Sequence, residues 1–416
     1  MGLCLYSTGA ILFWPVAKFS GGDNKQVSRA FLLQPAGLVV LTYPLLLSQA
    51  IFAGFVVLTG LTACGLATLE VTANSYITVM PPAGPAAYRL QFSQSWNGVA
   101  SFVGPLIASK FFFSGGNEDN LDNVQWVYLA VSGMGIILAI TFFFVRLPEV
   151  SEADLQAEVD ALAESPAAIA AADQLAKPFI RQTRPMLGFL AQFMYVGAQV
   201  AIGALFINYA MDAGMTKPQA SNFLSYALII FTVGRFISTA LLTVISAPAL
   251  LMINATLAAV FIAVVSTTKG MAGVGCLMIV YFLMACMYPV IFVISTANLG
   301  RHTRRAASLL VAGVSGGAVL TPLQGAIATY YNTHVSMWVS FPAFLYVAFF
   351  GFYCWRTQSG SAWTRSGELA HQVALAGGAI IPAQKTALDL EGGSNDGDEK
   401  KTLEAEEFQV ERVERH

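Results

Sequence analysis

Residues 66–106 decide the fold, and they read LATLEVTANSYITVMPPAGPAAYRLQFSQSWNGVASFVGPL. Glu70 stands inside an apolar run from about residue 44 to residue 80, which is too long and too hydrophobic for an ordinary soluble helix. A charged side chain near a bilayer centre costs about 2.5–3.5 kcal/mol on insertion scales. An acid at such depth therefore predicts a functional site that faces a cavity inside a membrane protein.

The composition indicates the same setting. The chain has 416 residues, of which 56% are hydrophobic and 11% charged, whereas soluble domains carry about 25% charged residues. A net charge of −2 without a concentrated basic face argues against a nucleic-acid partner. The five cysteines lie in apolar segments and the four histidines are scattered, so no metal-ligand spacing appears. We expect free thiols, no metal and no cofactor.

About ten apolar segments are long enough to cross a bilayer. They lie at 2–17, in the run from residue 44, and at 90–113, 126–145, 186–210, 218–243, 248–266, 270–299, 306–330 and 337–355. Residues 30–43 form either a re-entrant or surface segment, which we favour, or a short separate span.

The order of these segments predicts an all-α membrane protein with two helical bundles. Residues 1–146 would form an incomplete N-terminal bundle, and residues 186–356 a six-helix C-terminal bundle. An acidic, alanine-rich linker at 147–185 joins them, and the charged tail at 357–416 predicts disorder. Short-loop basic residues concentrate on one side, including Arg89, Arg184, Arg304 and Arg356. We call this side the basic end and expect it to be cytoplasmic, with the linker and the tail.

Two short sequence echoes indicate parallel repeated halves. Thr-Ala-Asn at 72–74 recurs at 296–298, and Gly-Pro-Leu at 104–106 is echoed by Thr-Pro-Leu at 321–323, in the same order. Repeated halves are common in membrane transporters. Because the second half has isoleucine where the first has Glu70, the carboxylate belongs to one half only.

Three amide side chains accompany this acid within the membrane. Glu70 and Asn74 are four residues apart on one helix face, while Gln94 and Asn97 are three apart on the next span, where Gly98 allows close approach. Amides that donate and accept, beside one acid, suit a sugar, whose hydroxyl groups need both kinds of partner. The acid can take up and release a proton in a low-dielectric cavity. The alternative is that these side chains only bond one another between helices.

The second half offers further candidate substrate contacts. Tyr195 and Gln199 share a helix face, and aromatic rings stack on sugars while amides bind hydroxyl groups. Packed tyrosine and glutamine are equally compatible with the pattern. Asn298 and Gln324 complete the predicted substrate-binding set.

Three more positions in the second half have a mechanical interpretation. Tyr288-Pro289 and Pro322 predict helix breaks and flex points within their spans. Arg235 lies about three turns from one end of its span, so it would either snorkel to that surface or form a gating ion pair. No phosphate loop, metal-spaced cluster or nucleophile elbow occurs, so the sequence predicts neither an enzyme nor transport driven by ATP.

Several stretches resemble the fucose:proton symporter family of the major facilitator superfamily. They cover nearly all spans, and the most specific are the Leu-Glu-x-x-Ala-Asn and Gln-Ser-x-Asn-Gly motifs. The stretches are GLCLYSTGAILFWPVA (2–17), PLLLSQAIFAGFVVLTG (44–60), TLEVTANSYITV (68–79), RLQFSQSWNG (89–98), MYPVIFVISTANLG (287–300) and SLLVAGVSGGAVLTPLQG (308–325).

The resemblance implies twelve helices in two six-helix domains, with alternating access to a central sugar site and coupling to a proton. It implies that Glu70 is the proton-coupling residue and that Gln94 and Asn97 contact the substrate. Residues 2–17 resemble the family's third helix, so an N-terminally truncated chain is expected, without the acid that the family places on its first helix. Trp96 stands where the family usually has a smaller aromatic residue.

The sequence therefore predicts a secondary active transporter for a monosaccharide of the fucose, glucose or galactose kind, coupled to proton symport. We expect a monomer in the plasma membrane, with the sugar, the proton and the lipid bilayer as its partners. The alternatives are a non-transporting sugar-binding receptor, an inactive truncated transporter, or a transporter of another polyol or a drug.

Overall fold

The computed structural model describes residues 65–67, 70–79, 86–111, 144, 179–297, 299, 302–357 and 362–364. The predicted linker, most of the tail, residues 18–43 and the predicted spans at 2–17 and 126–145 lie outside these ranges, or almost entirely so. The division of the chain into domains therefore remains a prediction.

Eleven α-helices are named here in chain order. Residues 70–79 form α1. The others are α2 (Ala86–Phe111), α3 (Thr183–Asp212), α4 (Lys217–Leu241), α5 (Ala247–Thr267), α6 (Met271–Met284), α7 (Met287–Thr296), α8 (Thr303–Ala312), α9 (Gly316–Tyr330), α10 (Thr333–Ser336) and α11 (Ser340–Thr357). Short 3-10 turns occupy Phe179–Arg181, Gly313–Ser315 and Met337–Val339. Within the described ranges, the β-structure consists of one isolated bridge between Ile245 and Thr364.

Six candidate membrane spans occur in the described part of the chain. They correspond to the six predicted spans of the second bundle, with ends that shift by a few residues. Their bounds are Thr183–Asp212, Lys217–Leu241, Ala247–Thr267, Met271–Thr296, Thr303–Tyr330 and Thr333–Thr357. The predicted span at 90–113 corresponds to α2, which is 26 residues long and carries a row of polar side chains. The prediction of an all-α membrane fold is confirmed.

Local sequence explains where these helices begin and turn. Thr216 and Gln219 form a capping box at the start of α4, and Pro218 lies in its first turn, where the missing N–H costs nothing. Gly214 before this cap has a φ of 94°, a left-handed conformation that other residues rarely adopt. The connection between α3 and α4 can therefore be short, which makes the two helices antiparallel neighbours.

Three of the six candidate spans are interrupted in the structure: one by the 3-10 turn Met337–Val339, and two near the predicted flex points. The span 271–296 breaks at Ala285 and Cys286, between α6 and α7, just before Tyr288-Pro289. The prediction of a break beside this proline is confirmed. Pro322 lies inside α9 and does not end it, so the predicted break at that residue is wrong. The interruption falls instead at Gly313–Ser315, where Gly313 and Gly316 lie against the backbone of α3.

The described core lies mainly in the second bundle. Helix α3 packs on α9 and α11, and α5 packs on α6 and α11, around large buried side chains such as Tyr195, Phe206 and Phe344. Large apolar side chains on the outer faces, including Val260 and Phe349, are about half exposed, as a lipid-facing surface requires. Helix α2 packs against α4 and α7. These contacts bring the first half against the second beside Glu70.

Candidate functional site

The carboxylate of Glu70 lies where the two halves meet. Glu70 is half-buried on α1 and accepts a hydrogen bond from the hydroxyl group of Tyr288, which lies in the first turn of α7. The broken span therefore supplies the partner of the acid. The sequence pattern predicts only a flex point at Tyr288. The signal that could have found it is a polar aromatic residue beside a proline, because a mid-span break turns nearby side chains toward a cavity.

Three amides of the first half form one hydrogen-bonded chain. Gln94 Nε2 donates to Asn74 Oδ1 over 3.2 Å, and Asn97 Nδ2 donates to Gln94 Oε1 over 3.4 Å. Asn74 and Gln94 are buried, whereas Asn97 is exposed. The sequence predicted that Glu70 and Asn74 share one helix face and that Gln94 and Asn97 share another. The structure bonds Asn97 to Gln94 and Gln94 to Asn74. Their role in binding a substrate stays a prediction.

Asn74 retains an unused donor. Its Nδ2 is buried and has no hydrogen-bond partner among the described residues. A buried amide donor without a partner costs about 1–3 kcal/mol, so such a group favours a ligand oxygen within reach. The arrangement offers both donors and acceptors beside a carboxylate.

Arg235 lies in this network rather than at the membrane surface. It is 7% exposed, and its Nη1 donates to the backbone carbonyl of Gln94 and, over 3.5 Å, to Gln94 Oε1. The guanidinium carbon also lies 4.6 Å from the ring centroid of Phe231. The predicted snorkelling is wrong, because the buried guanidinium group donates its hydrogen bonds to α2 instead of to lipid headgroups. The signal was available: a second charge within a span, of opposite sign to Glu70.

The charge of Arg235 acts on the acid and on two tyrosines. Arg235 lies within electrostatic range of Glu70, Tyr195 and Tyr288, and it forms no direct ion pair with Glu70 in the described structure. The cation thus balances a carboxylate on the opposite half without touching it.

Tyr195 and Gln199 lie one turn apart on α3, as their spacing predicted. Tyr195 is fully buried, and its hydroxyl group donates to the carbonyl of Met284 over 2.9 Å, at the end of α6. Gln199 is half-buried. Tyr195 therefore contacts the broken span, and stacking on a sugar would require that its ring become exposed.

The remaining two predicted contacts lie elsewhere or outside the described residues. Gln324 is fully buried; its Nε2 contacts Met337 Sδ over 3.3 Å, and its Oε1 accepts from Ser340 Oγ over 3.2 Å. These partners belong to α9–α11 and not to the network around Gln94. Asn298 lies outside the described residues. Substrate binding by both stays a prediction.

A close seam between α2 and α4 holds the site together. Gly98 lies against Thr232, and a Cβ atom at position 98 would meet Thr232 Oγ1 at 3.0 Å. Ser95 Oγ lies 3.4 Å from Thr239 Oγ1 on the same seam. The prediction that Gly98 allows close approach is confirmed. Among the described residues, no cluster of three histidine, cysteine, aspartate or glutamate side chains could hold a metal ion.

Comparisons with known proteins agree with this architecture. The Major Facilitator Superfamily profile matches residues 6–308. The chain is 29% identical over 394 residues to an L-fucose-proton symporter of Haemophilus influenzae, covering 86% of this chain and 80% of the relative. It is 27% identical over 311 residues to a glucose/galactose transporter of Brucella abortus, covering 73% and 72%.

Solved structures show the same fold. The fucose:proton symporter of Escherichia coli superposes with a TM-score of 0.69 at 23% identity, covering 84% of this chain and 87% of that chain. A proton:xylose symporter superposes with a TM-score of 0.63 at 15% identity, covering 85% of both. The resemblance noted in the sequence is confirmed, and the protein is an integral, multi-pass membrane protein. The chain belongs to the Major Facilitator Superfamily.

Proposed function

We propose that this protein transports a monosaccharide together with a proton. The observation that carries the proposal is the hydrogen bond from Tyr288 to Glu70, which joins the two halves beside a chain of buried amides. Relatives named as fucose-proton symporters and glucose/galactose transporters support this substrate class. The proposal includes a monomer in the plasma membrane with the basic end in the cytoplasm.

The sugar would bind to the amide chain. A hexose carries several hydroxyl groups, each of which donates and accepts, so it matches carboxamides better than it matches purely cationic or purely apolar walls. The unused Asn74 Nδ2 would donate to one hydroxyl group, and the exposed Asn97 would contact another. Gln94 would hold these two amides in place, because it is bonded to both.

The proton would bind to Glu70. In its ionised form, the carboxylate accepts the Tyr288 hydrogen bond and is attracted to Arg235 across the boundary between the halves. Protonation removes this attraction, since the carboxyl group becomes neutral. The two halves are then held less tightly at the site, so protonation and sugar binding together would shift the population toward the state with the opposite opening.

Uptake and counterflow in proteoliposomes test the proposal. Glu70→Gln keeps a polar side chain of similar size but cannot release a proton. We expect it to abolish accumulation of labelled hexose driven by a proton gradient. Hexose counterflow, measured at the same pH on both sides of the membrane, should continue. Asp212→Asn is the matched control, because Asp212 is an exposed acid at the end of α3, and it should leave both activities unchanged.

The outcomes separate the alternatives. Proton-driven accumulation by Glu70→Gln at the wild-type rate would refute the coupling role. Sugar binding without any flux in the unaltered protein would favour a receptor or an inactive transporter. Competition by a panel of hexoses, other polyols and drugs would define the substrate class.

A further inference from the structure

The break between α6 and α7 leaves one backbone carbonyl without its usual donor. In a continuous helix, the carbonyl of Ala285 would accept from the backbone N–H of residue 289. Residue 289 is proline, which has no N–H. Because the break is buried, water does not reach the Ala285 carbonyl, and this oxygen needs another hydrogen-bond donor. A buried carbonyl without a donor would destabilise the fold.

Gln91, on the other half of the molecule, supplies this donor. Its side chain is fully buried on α2, and its Nε2 donates to the Ala285 carbonyl over 3.4 Å and to the Arg235 carbonyl over 3.2 Å. Its Oε1 accepts no hydrogen bond from the described residues. Both bonds of this amide therefore cross from the first half to the second, one to α4 and one to the break between α6 and α7.

The position of Gln91 along α2 shows on which side of the candidate sugar site these bonds lie. Gln91 precedes Gln94 by three residues, so it lies about 4.5 Å nearer to the start of α2. The start of α2 carries Arg89 and belongs to the basic end. Gln91 thus lies between the candidate sugar site and the basic end, on the seam that Ser95 and Thr239 continue.

Other groups at the break are bonded within the second half. The carbonyl of Met284 accepts from Tyr195, and Cys286 Sγ accepts from Asn254 Nδ2 over 2.9 Å. These bonds can persist when the halves separate, because their partners move together. The bonds of Gln91 cannot, since they join the two halves.

We propose that Gln91 is a latch that closes the path from the candidate site to the basic end by capping the carbonyl that Pro289 leaves free. Opening breaks its two bonds, and water then hydrates the Ala285 and Arg235 carbonyls. Gln91 is a positioning residue that sets the balance between closed and open states. Its effect on flux rests on the proposed function, whereas its effect on closure does not.

Thiol labelling tests closure without sugar or a proton gradient. Thr239→Cys places a thiol in the seam, where the native side chain is 5% exposed, in a background whose five native cysteines are replaced by alanine. The rate of alkylation by N-ethylmaleimide in proteoliposomes reports how often the seam opens. Gln91→Met keeps the side-chain length but removes the donor, and two lost hydrogen bonds predict a rate about five- to tenfold higher.

Two further variants make the test specific. Gln192→Met is the matched control, because Gln192 is also fully buried but has no hydrogen-bond partner among the described residues; it should not change the rate. Pro289→Ala restores an N–H for the Ala285 carbonyl. In that background, Gln91→Met still removes the bond to the Arg235 carbonyl, so it should raise the rate by only about two- to threefold.

The results decide the proposal in each case. Equal labelling of Gln91→Met and the parent, or an undiminished effect in the Pro289→Ala background, would overturn it. If Gln91→Met fails to fold, Gln91→Asn is read in the same way, because its amide is one methylene too short to reach both carbonyls. Faster labelling together with an absence of sugar transport would leave the latch standing and refute only the proposed function.

Discussion

The hydroxyl group of Tyr288 donates a hydrogen bond to the carboxylate of Glu70, and these two residues belong to different halves of the molecule. Tyr288 lies two residues after the break between α6 and α7, and Glu70 lies at the start of the described part of α1. A change in the charge of one side chain therefore acts directly on an interrupted helix of the other half.

Tyr288→Phe removes this donor and keeps the ring. We expect proton-driven sugar uptake to fall about tenfold, because a hydrogen bond to a charged group contributes about 1.5–3 kcal/mol. Counterflow at high external proton concentration should be less affected, since a protonated Glu70 needs the donor less. Initial rates measured in proteoliposomes at several pH values check this expectation.

Tyr209→Phe is the matched control for that variant. The hydroxyl group of Tyr209 donates to the carbonyls of Val265 and Thr268 at the far end of α5, away from Glu70. This variant should lower thermal stability slightly and leave the pH profile of uptake unchanged. Similar pH profiles for the two phenylalanine variants would contradict the role given to Tyr288.

Arg235→Gln tests whether the buried cation supports the site. The substitution removes the positive charge near Glu70 and weakens the bonds to Gln94, so both sugar affinity and proton coupling should decrease. Loss of one partner from a buried charge network commonly destabilises a protein by about 3–5 kcal/mol, so the melting temperature should also fall. Equilibrium sugar binding and thermal unfolding measure the two effects.

A second variant tests whether the loss of stability comes from leaving Glu70 without a nearby positive charge. The double variant Glu70→Gln with Arg235→Gln removes both charges, so it should recover part of the thermal stability that Arg235→Gln loses. Proton-driven accumulation should remain absent. Additive losses of stability in the double variant would show that the two charges do not interact.

The sequence predicts which side chains are neighbours within one helix, but not which hydrogen bonds form between helices. Helical spacing placed Gln94 beside Asn97 and Glu70 beside Asn74, because residues three or four apart share a face. It gave no direct information about Gln91, whose partners are two backbone carbonyls of the other half. Backbone partners leave no side-chain signature, so only the fold could reveal them.

Composition likewise identified the charges but not their geometry. Glu70 was recognised because an acid in an apolar run is costly, and the same reasoning applies to Arg235. Its distance from the span end favoured snorkelling, yet the packing of α2 on α4 provides a nearer acceptor in the Gln94 carbonyl. The position of a residue along its own helix does not show whether a neighbouring helix offers it a hydrogen-bond acceptor.

Gly98→Ala should prevent normal closure of the seam between α2 and α4. An added Cβ would lie 3.0 Å from Thr232 Oγ1 and 3.2 Å from Thr232 Cγ2, which is tighter than ordinary packing allows. Overpacking of this kind costs about 1–3 kcal/mol, so we expect a lower melting temperature and faster alkylation of the thiol introduced by Thr239→Cys.

Thr232→Ala provides the rescue that makes the prediction specific. It deletes both close atoms, Oγ1 and Cγ2, and leaves Thr232 Cβ, which would lie 3.4 Å from the new methyl group at position 98. The double variant should therefore recover most of the melting temperature and the slow labelling rate of the parent. Because Thr232 Oγ1 bonds only to the Leu228 carbonyl of its own helix in the described structure, Thr232→Ala alone should have a small effect. If the double variant labelled as fast as Gly98→Ala, the close approach at Gly98 would not be what sets the spacing of the two halves.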